Sequence, residues 1–160
     1  MEESLVERAR EFWRLGTAKL LSGDLEEAVE LFTRSLEAHP TAEAYTFRGW
    51  AYSFEGRLAE AILECQKAIA TDPEFGNPYN DIGCYLVEQG RLDEAVPWFA
   101  RAKEAPRYEP RHFPYLNLGR LHASRGELAE AIVEFDGALA LNPGDPVALK
   151  YLEALKYQVN

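Results

Sequence analysis

At 160 residues and 18.1 kDa, with 47% hydrophobic and 28% charged residues, the chain has the makeup of one globular domain that can bury a core without disulfides or metals. Seventeen Lys and Arg against 27 Asp and Glu leave a net charge of -10, which repels phosphate backbones and anionic lipid and so argues against nucleic acid or a membrane surface as partner. No run approaches the roughly 18 consecutive apolar residues of a membrane span.

The start, MEESLVERAR, carries acids where a secretory signal has a basic end, and no apolar segment follows, so a cytoplasmic protein is expected. From there apolar residues recur every three or four positions, broken at regular intervals by glycine or proline. This pattern predicts helices at 5–21, 25–38, 42–55, 58–71, 77–89, 92–105, 113–125 and 128–141. Asn77 before Pro78 and Asp145 before Pro146 read as N-caps with proline at the first helical position. A ninth helix, 146–158, starts in register with a further unit but has no partner, and its apolar side opposite Lys150, Glu153 and Lys156 suits a cap.

Four lines repeat: SGDLEEAVELF from 22, EGRLAEAILEC from 55, QGRLDEAVPWF from 89 and RGELAEAIVEF from 125. Seven residues before each glycine stands another, Gly16, Gly49, Gly83 and Gly119, spaced by 33, 34 and 36. Downstream come Ser35, Ala68, Ala102 and Ala138, then Pro40, Pro73, Pro110 and Pro143. Each unit is therefore a pair of antiparallel amphipathic helices, with small residues where the two must approach closely.

This period, carrying Tyr115, Leu118, Gly119, Ala131, Phe135, Ala138 and Pro143 in the last unit and close equivalents in the others, resembles the tetratricopeptide repeat over about residues 9 to 145. Departures are mild: Lys19, Leu86 and His122 replace an aromatic of the first helix, and Cys65 one of the second. The resemblance implies an all-α fold, a right-handed superhelical solenoid of antiparallel helix pairs. Its units are 9–41, 42–75, 76–111 and 112–145, with the cap at 146–158, in a single domain spanning 1–160.

One stretch departs from the period. Eight residues separate Ala102 from Pro110 where five separate the equivalent pairs, so KEAPRYEPRHFPYLNLG (103–119) contains a three-residue insertion. It reads either as a tolerated loop punctuated by proline or as a basic, aromatic lip in which Arg107, Tyr108 and Arg111 touch a partner at the solenoid's edge.

No nucleophile elbow, phosphate loop, HExxH or Cys/His pairing is present, so no catalytic residue is expected. Cys65 and Cys84 lack CxxC spacing, and with His39, His112 and His122 they form no metal-ligand pattern. Each cysteine reads as a small buried hydrophobe, and neither metal nor cofactor is expected.

Function is expected on the concave surface, which the resemblance implies is lined by the first helix of each unit and binds peptides. At about 100° per residue, the side chains opposite the core face are Trp13, Arg14 and Thr17 in unit one and Phe47, Trp50 and Phe54 in unit two. Units three and four supply Asn77, Asn80 and Asp81, then Asn117 and Arg120. Large aromatics away from a core mark a binding site, unless neighbouring helices bury them against each other. The amides can both donate to and accept from an extended backbone.

The Lys/Asn/Arg clamp that a subset of the family uses for chaperone tails is missing, because its slots hold Trp13, Thr17, Phe47, Asn77 and Asp81. The expectation is a non-catalytic adaptor, a monomer or weak homo-oligomer, whose groove takes a peptide or helix of another protein. The alternative is a self-assembling scaffold whose groove takes a neighbouring copy's terminal helix, through Tyr151, Leu152, Leu155 and Tyr157. Trp98 beside Pro97 is a further candidate for the convex side, or else packs sideways.

Overall fold

The structure, a computed structural model, describes residues 2–159, with side chains from Ser4 to Gln158. Among the described residues the helices are α1 (Glu2–Leu21), α2 (Leu25–Ala38), α3 (Ala42–Phe54), α4 (Leu58–Thr71), α5 (Asn77–Glu88), α6 (Leu92–Glu104), α7 (Phe113–Ser124), α8 (Leu128–Leu141) and α9 (Pro146–Val159). Eight of these helices, α2 to α9, coincide with the expected spans or differ from them by one residue, and α1 starts three residues earlier.

Each odd helix from α1 to α7 packs along the even helix that follows it. Contacts from α1 to α3, α3 to α5 and α5 to α7 put the odd helices in a common inner layer, with the even helices outside. The chain is an all-α solenoid. The turn within each pair needs a left-handed residue, as at Gly23 (φ 84°), and close approach needs the missing side chain of the upstream glycine. A Cβ on Gly83 would lie 2.5 Å from Cε1 of Phe99, so only glycine lets α5 rest on that ring. Phe32, Phe99 and Phe135 hold equivalent, fully buried places. Cys65 holds the fourth, and burial pushes its thiol well above the ordinary range.

The last helix is a cap. Ala148, Leu152 and Leu155 are buried in a cluster with Ala131, Phe135 and Ala138 of α8, and Tyr151 stacks on Phe135 at 4.7 Å. Those side chains are engaged within the chain, which leaves only Tyr157 of the proposed swap residues exposed. Asp145 caps α9 by accepting from the Ala148 amide at 2.9 Å. Asn77 does not cap α5. It is the first residue of the helix, and its side-chain amide donates to the Glu109 carbonyl at 3.3 Å.

Unit two contains a buried ion pair that the pattern reading did not anticipate. Glu64, 4% exposed, accepts from Arg48 Nε at 2.7 Å and Nη2 at 3.0 Å and from Lys67 at 3.0 Å. Arg48 also donates to Thr33 at 3.1 Å, which ties α3 to α2 as well as to α4.

Candidate functional site

On the inner layer the aromatic residues form one continuous run. Trp13 lies 5.3 Å from Phe47, Phe47 lies 5.9 Å from Trp50, and Trp50 lies 5.6 Å from Phe54. The run begins inside and ends outside. Trp13 and Phe47 are half-buried on the cluster of Leu20, Ala28, Phe32 and Ala51, because adjacent inner helices close over their flanks. Trp50 is 37% exposed and Phe54 58%, and Leu21, which corresponds to Phe54 one unit earlier, is also exposed. Together with Leu21, the exposed members of this run thus lie at the C-terminal ends of α1 and α3.

Units three and four form a polar floor that is largely self-bonded. The Asn117 amide donates to Asn80 Oδ1 at 2.9 Å and to Cys84 Sγ at 3.4 Å. Asn80 is only 5% exposed, so it braces α5 against α7 instead of standing free in the groove, and Asn77 is committed to Glu109. Asp81 is half-buried, and burial raises its carboxyl to about 7, against the pull of the Asn80 amide. Burial, with the charges of Asp81 and Glu88, pushes the Cys84 thiol up to about 12, while Arg120 acts the other way. Arg120 is exposed and makes no ion pair with a described residue. Arg14 is exposed and paired with Glu11 at 2.6 Å, and Thr17 donates to the Trp13 carbonyl at 2.8 Å.

The insertion is no lip. It folds back on the α4–α5 linker, where Arg107 N donates to the Glu74 carbonyl at 3.1 Å and Gly76 N donates to the Arg107 carbonyl at 2.8 Å. Tyr108 is 4% exposed, with its ring so close against Gly76 that a Cβ there would collide with it. Arg111 donates to the carbonyls of Lys103 at 3.0 Å and Ala105 at 2.9 Å, satisfying the open end of α6. Of the three residues expected at the lip, Arg107 alone is exposed, and it is held by Asp72 at 2.6 Å and Glu43 at 3.2 Å. The need to satisfy these backbone groups outweighs display to a partner. Trp98 packs sideways, 6.2 Å from Tyr79 and under the Arg101 guanidinium at 4.8 Å.

A cleft of about 380 Å³ opens where α1, the end of α2 and the start of α3 meet, lined by Val6, Ala9, Arg10, Trp13, Ser35, His39, Thr41 and Glu43. The indole N–H of Trp13 is buried and has no partner among the described residues. Nothing in the apolar periodicity points to this cleft. The available signal was polar: Arg10 and His39 stand where unit two has Glu43 and Asp72. Among the described residues no three His, Cys, Asp or Glu side chains are grouped to hold a metal, and no helix is long and apolar enough to cross a membrane.

A tetratricopeptide repeat family model matches residues 14–74 and 115–146, more than half the chain, and a second one matches 79–105. The chain belongs to the tetratricopeptide repeat family. Among curated members, the type IV pilus assembly protein PilF of Pseudomonas aeruginosa is 30% identical over 144 residues, which is 89% of this chain and 57% of PilF. This tetratricopeptide repeat chain therefore spans a little over half the length of that relative. The solved structure of Pseudomonas aeruginosa PilF superposes with a TM-score of 0.90 at 27% identity, covering 97% of this chain and 70% of that one. The pilus biogenesis factor PilW shares the fold at a TM-score of 0.83 and 22% identity, over 94% of this chain and 69% of that one. So does the second repeat domain of Spaghetti (RPAP3) bound to an HSP90 peptide, at 0.61 and 24%, over 65% of this chain and 96% of that one.

Proposed function

We propose that this chain is a non-catalytic adaptor whose concave face binds a peptide or helical segment of another protein, anchored on Trp50 and Phe54. The observation that carries this reading is the exposed end of the aromatic run, with Trp50 37% and Phe54 58% open on the inner layer. Family membership supports it, since tetratricopeptide repeat proteins generally mediate protein–protein interaction, and the Spaghetti (RPAP3) domain was solved with a peptide bound. The partner differs from a clamped chaperone tail, because Trp13, Thr17, Phe47, Asn77 and Asp81 replace the clamp. Arg120 supplies an exposed cation at the far end of the same face.

Covering about 100 Å² of each exposed ring contributes roughly 2.5 kcal/mol per ring before association costs. Trp50→Ala or Phe54→Ala should accordingly weaken the purified partner about tenfold or more, while Leu63→Ala on the outer helix α4 leaves affinity unchanged. Equal affinity for all three variants would reject the groove.

One observation favours a particular setting. The likeness to PilF extends over nearly the whole chain in both sequence and structure, which supports a role in assembling type IV pili. Deleting the gene in a piliated source strain should strip pili from the surface under electron microscopy, and normal piliation would remove this setting while leaving the groove untouched.

A further inference from the structure

We propose that the cleft at the first inter-unit junction binds an acidic side chain carried on an extended peptide segment. The site recurs along one edge of the solenoid, where inner helices begin and outer helices end, and the chain itself shows how it is filled. At the second junction the occupant is the insertion. The Arg107 backbone pairs with Glu74 and Gly76 at 3.1 and 2.8 Å, and its guanidinium reaches Asp72 at 2.6 Å and Glu43 at 3.2 Å. At the next junction Arg111 closes the end of α6, and at the last His112 lies 3.4 Å from Asp145. The first junction is left open, with a volume of about 380 Å³.

Counting back from the glycine of each unit, the two acids that hold Arg107 become Arg10 and His39. The architecture is kept and the polarity of its side-chain partners is reversed. Arg10 and His39 are exposed, Arg10 forms no ion pair with a described carboxylate, and the Trp13 ring lines the cleft beside Arg10 with its own indole N–H buried away from solvent. Glu43 is the carboxylate in the lining, and Arg107 engages it from the neighbouring junction. A set of donors beside apolar walls fits a carboxylate, which forms stronger, charge-assisted hydrogen bonds with guanidinium and N–H groups than a neutral acceptor does. The template is a residue within a continuing chain, bonded through both its N–H and its C=O, which selects an internal Asp or Glu over a chain terminus.

The test uses the amidated, acetylated peptide Ala-Pro-Glu-Ala-Ala, its Gln and Lys counterparts, and a free-acid form of the Gln peptide. Each is titrated into the ¹⁵N-labelled chain while the Trp13 indole resonance, assigned with Trp13→Phe, is followed. The Glu peptide should shift that resonance saturably, with the other three about tenfold or more weaker, as expected when one member of a charged pair is neutralised. Arg10→Glu, and separately His39→Glu, both at exposed positions, should abolish the preference for Glu over Lys, and Trp50→Ala should leave it intact. Equal binding of the Glu and Gln peptides, an unchanged preference in both charge-reversed variants, or a free-acid Gln peptide as tight as the Glu peptide would each overturn the assignment. Because Trp50→Ala reports on the groove and Arg10→Glu on the cleft, the two sites fail separately.

Discussion

Removing Arg48 should cost far more than removing Arg48 and Glu64 together. The Glu64 carboxylate is 4% exposed and takes bonds of 2.7 and 3.0 Å from Arg48 and 3.0 Å from Lys67. Arg48→Leu leaves that acid with Lys67 alone, whose side chain is mostly in solvent. Stripping the partner from a buried ion costs roughly 3–5 kcal/mol, and the surviving lysine contact puts the expected loss near the lower end, about 3 kcal/mol. With a urea dependence of about 2 kcal/mol per molar, the midpoint should fall by about 1.5 M.

The double variant Arg48→Leu, Glu64→Leu installs the residues that unit one carries at the same two places, Leu15 and Leu31. It should lie within about 1 kcal/mol of the parent, because apolar replacement of a buried pair is often neutral. The assay is urea unfolding followed by circular dichroism and by tryptophan fluorescence, with coincident curves required, since a solenoid can melt in parts. Single and double variants that lose the same stability would refute the assignment of a coupled pair.

Asp81 gives a pH signature. Burial raises its carboxyl to about 7, so between roughly pH 4 and 7 the folded chain holds a proton that the unfolded chain has released. Stability is therefore lost as pH rises through that window. Asp81→Asn should match the parent near pH 4 and exceed it at pH 8, by at most about 4 kcal/mol at about 1.36 kcal/mol per pKa unit. A difference that does not grow with pH contradicts the placement. Tyr108→Ala should cost about 3 kcal/mol through the cavity it leaves, whereas Arg107→Ala, which breaks exposed pairs, should cost under about 1 kcal/mol by the same unfolding assay. Near-zero loss at Tyr108 would restore the lip.

The helix pattern was legible because it rests on local rules repeated four times: a left-handed glycine, an upstream glycine where the two helices approach closely (under a ring in three of the four units), and apolar residues at helical spacing. The spans 25–38, 58–71 and 128–141 coincide with α2, α4 and α8. Burial on the inner face was only partly legible. Angular position places Trp13 and Phe47 beside Trp50 and Phe54, but how far neighbouring helices cover a flank depends on stacking between units, which no single helix encodes.

The insertion was the least legible segment, since Arg107 pairs with Glu43 across 64 positions of sequence and its backbone satisfies groups of Glu74 and Gly76 that it meets only once the chain is folded. Asn80 was read as a free donor for the same reason, because its partner Asn117 lies 37 positions away. The Arg48–Glu64 pair did leave a trace. Both members depart together from Leu15 and Leu31 at the same separation of 16, a swap that pattern matching on apolar residues passes over.

The most direct test of the adaptor reading is photo-crosslinking in the source cells, with a benzophenone side chain placed at Phe54 on the inner layer or at Val133 on the outer helix α8, both exposed. The account predicts a discrete protein adduct from position 54 that is absent from position 133. No adduct at 54, or the same adduct from both faces, would contradict it.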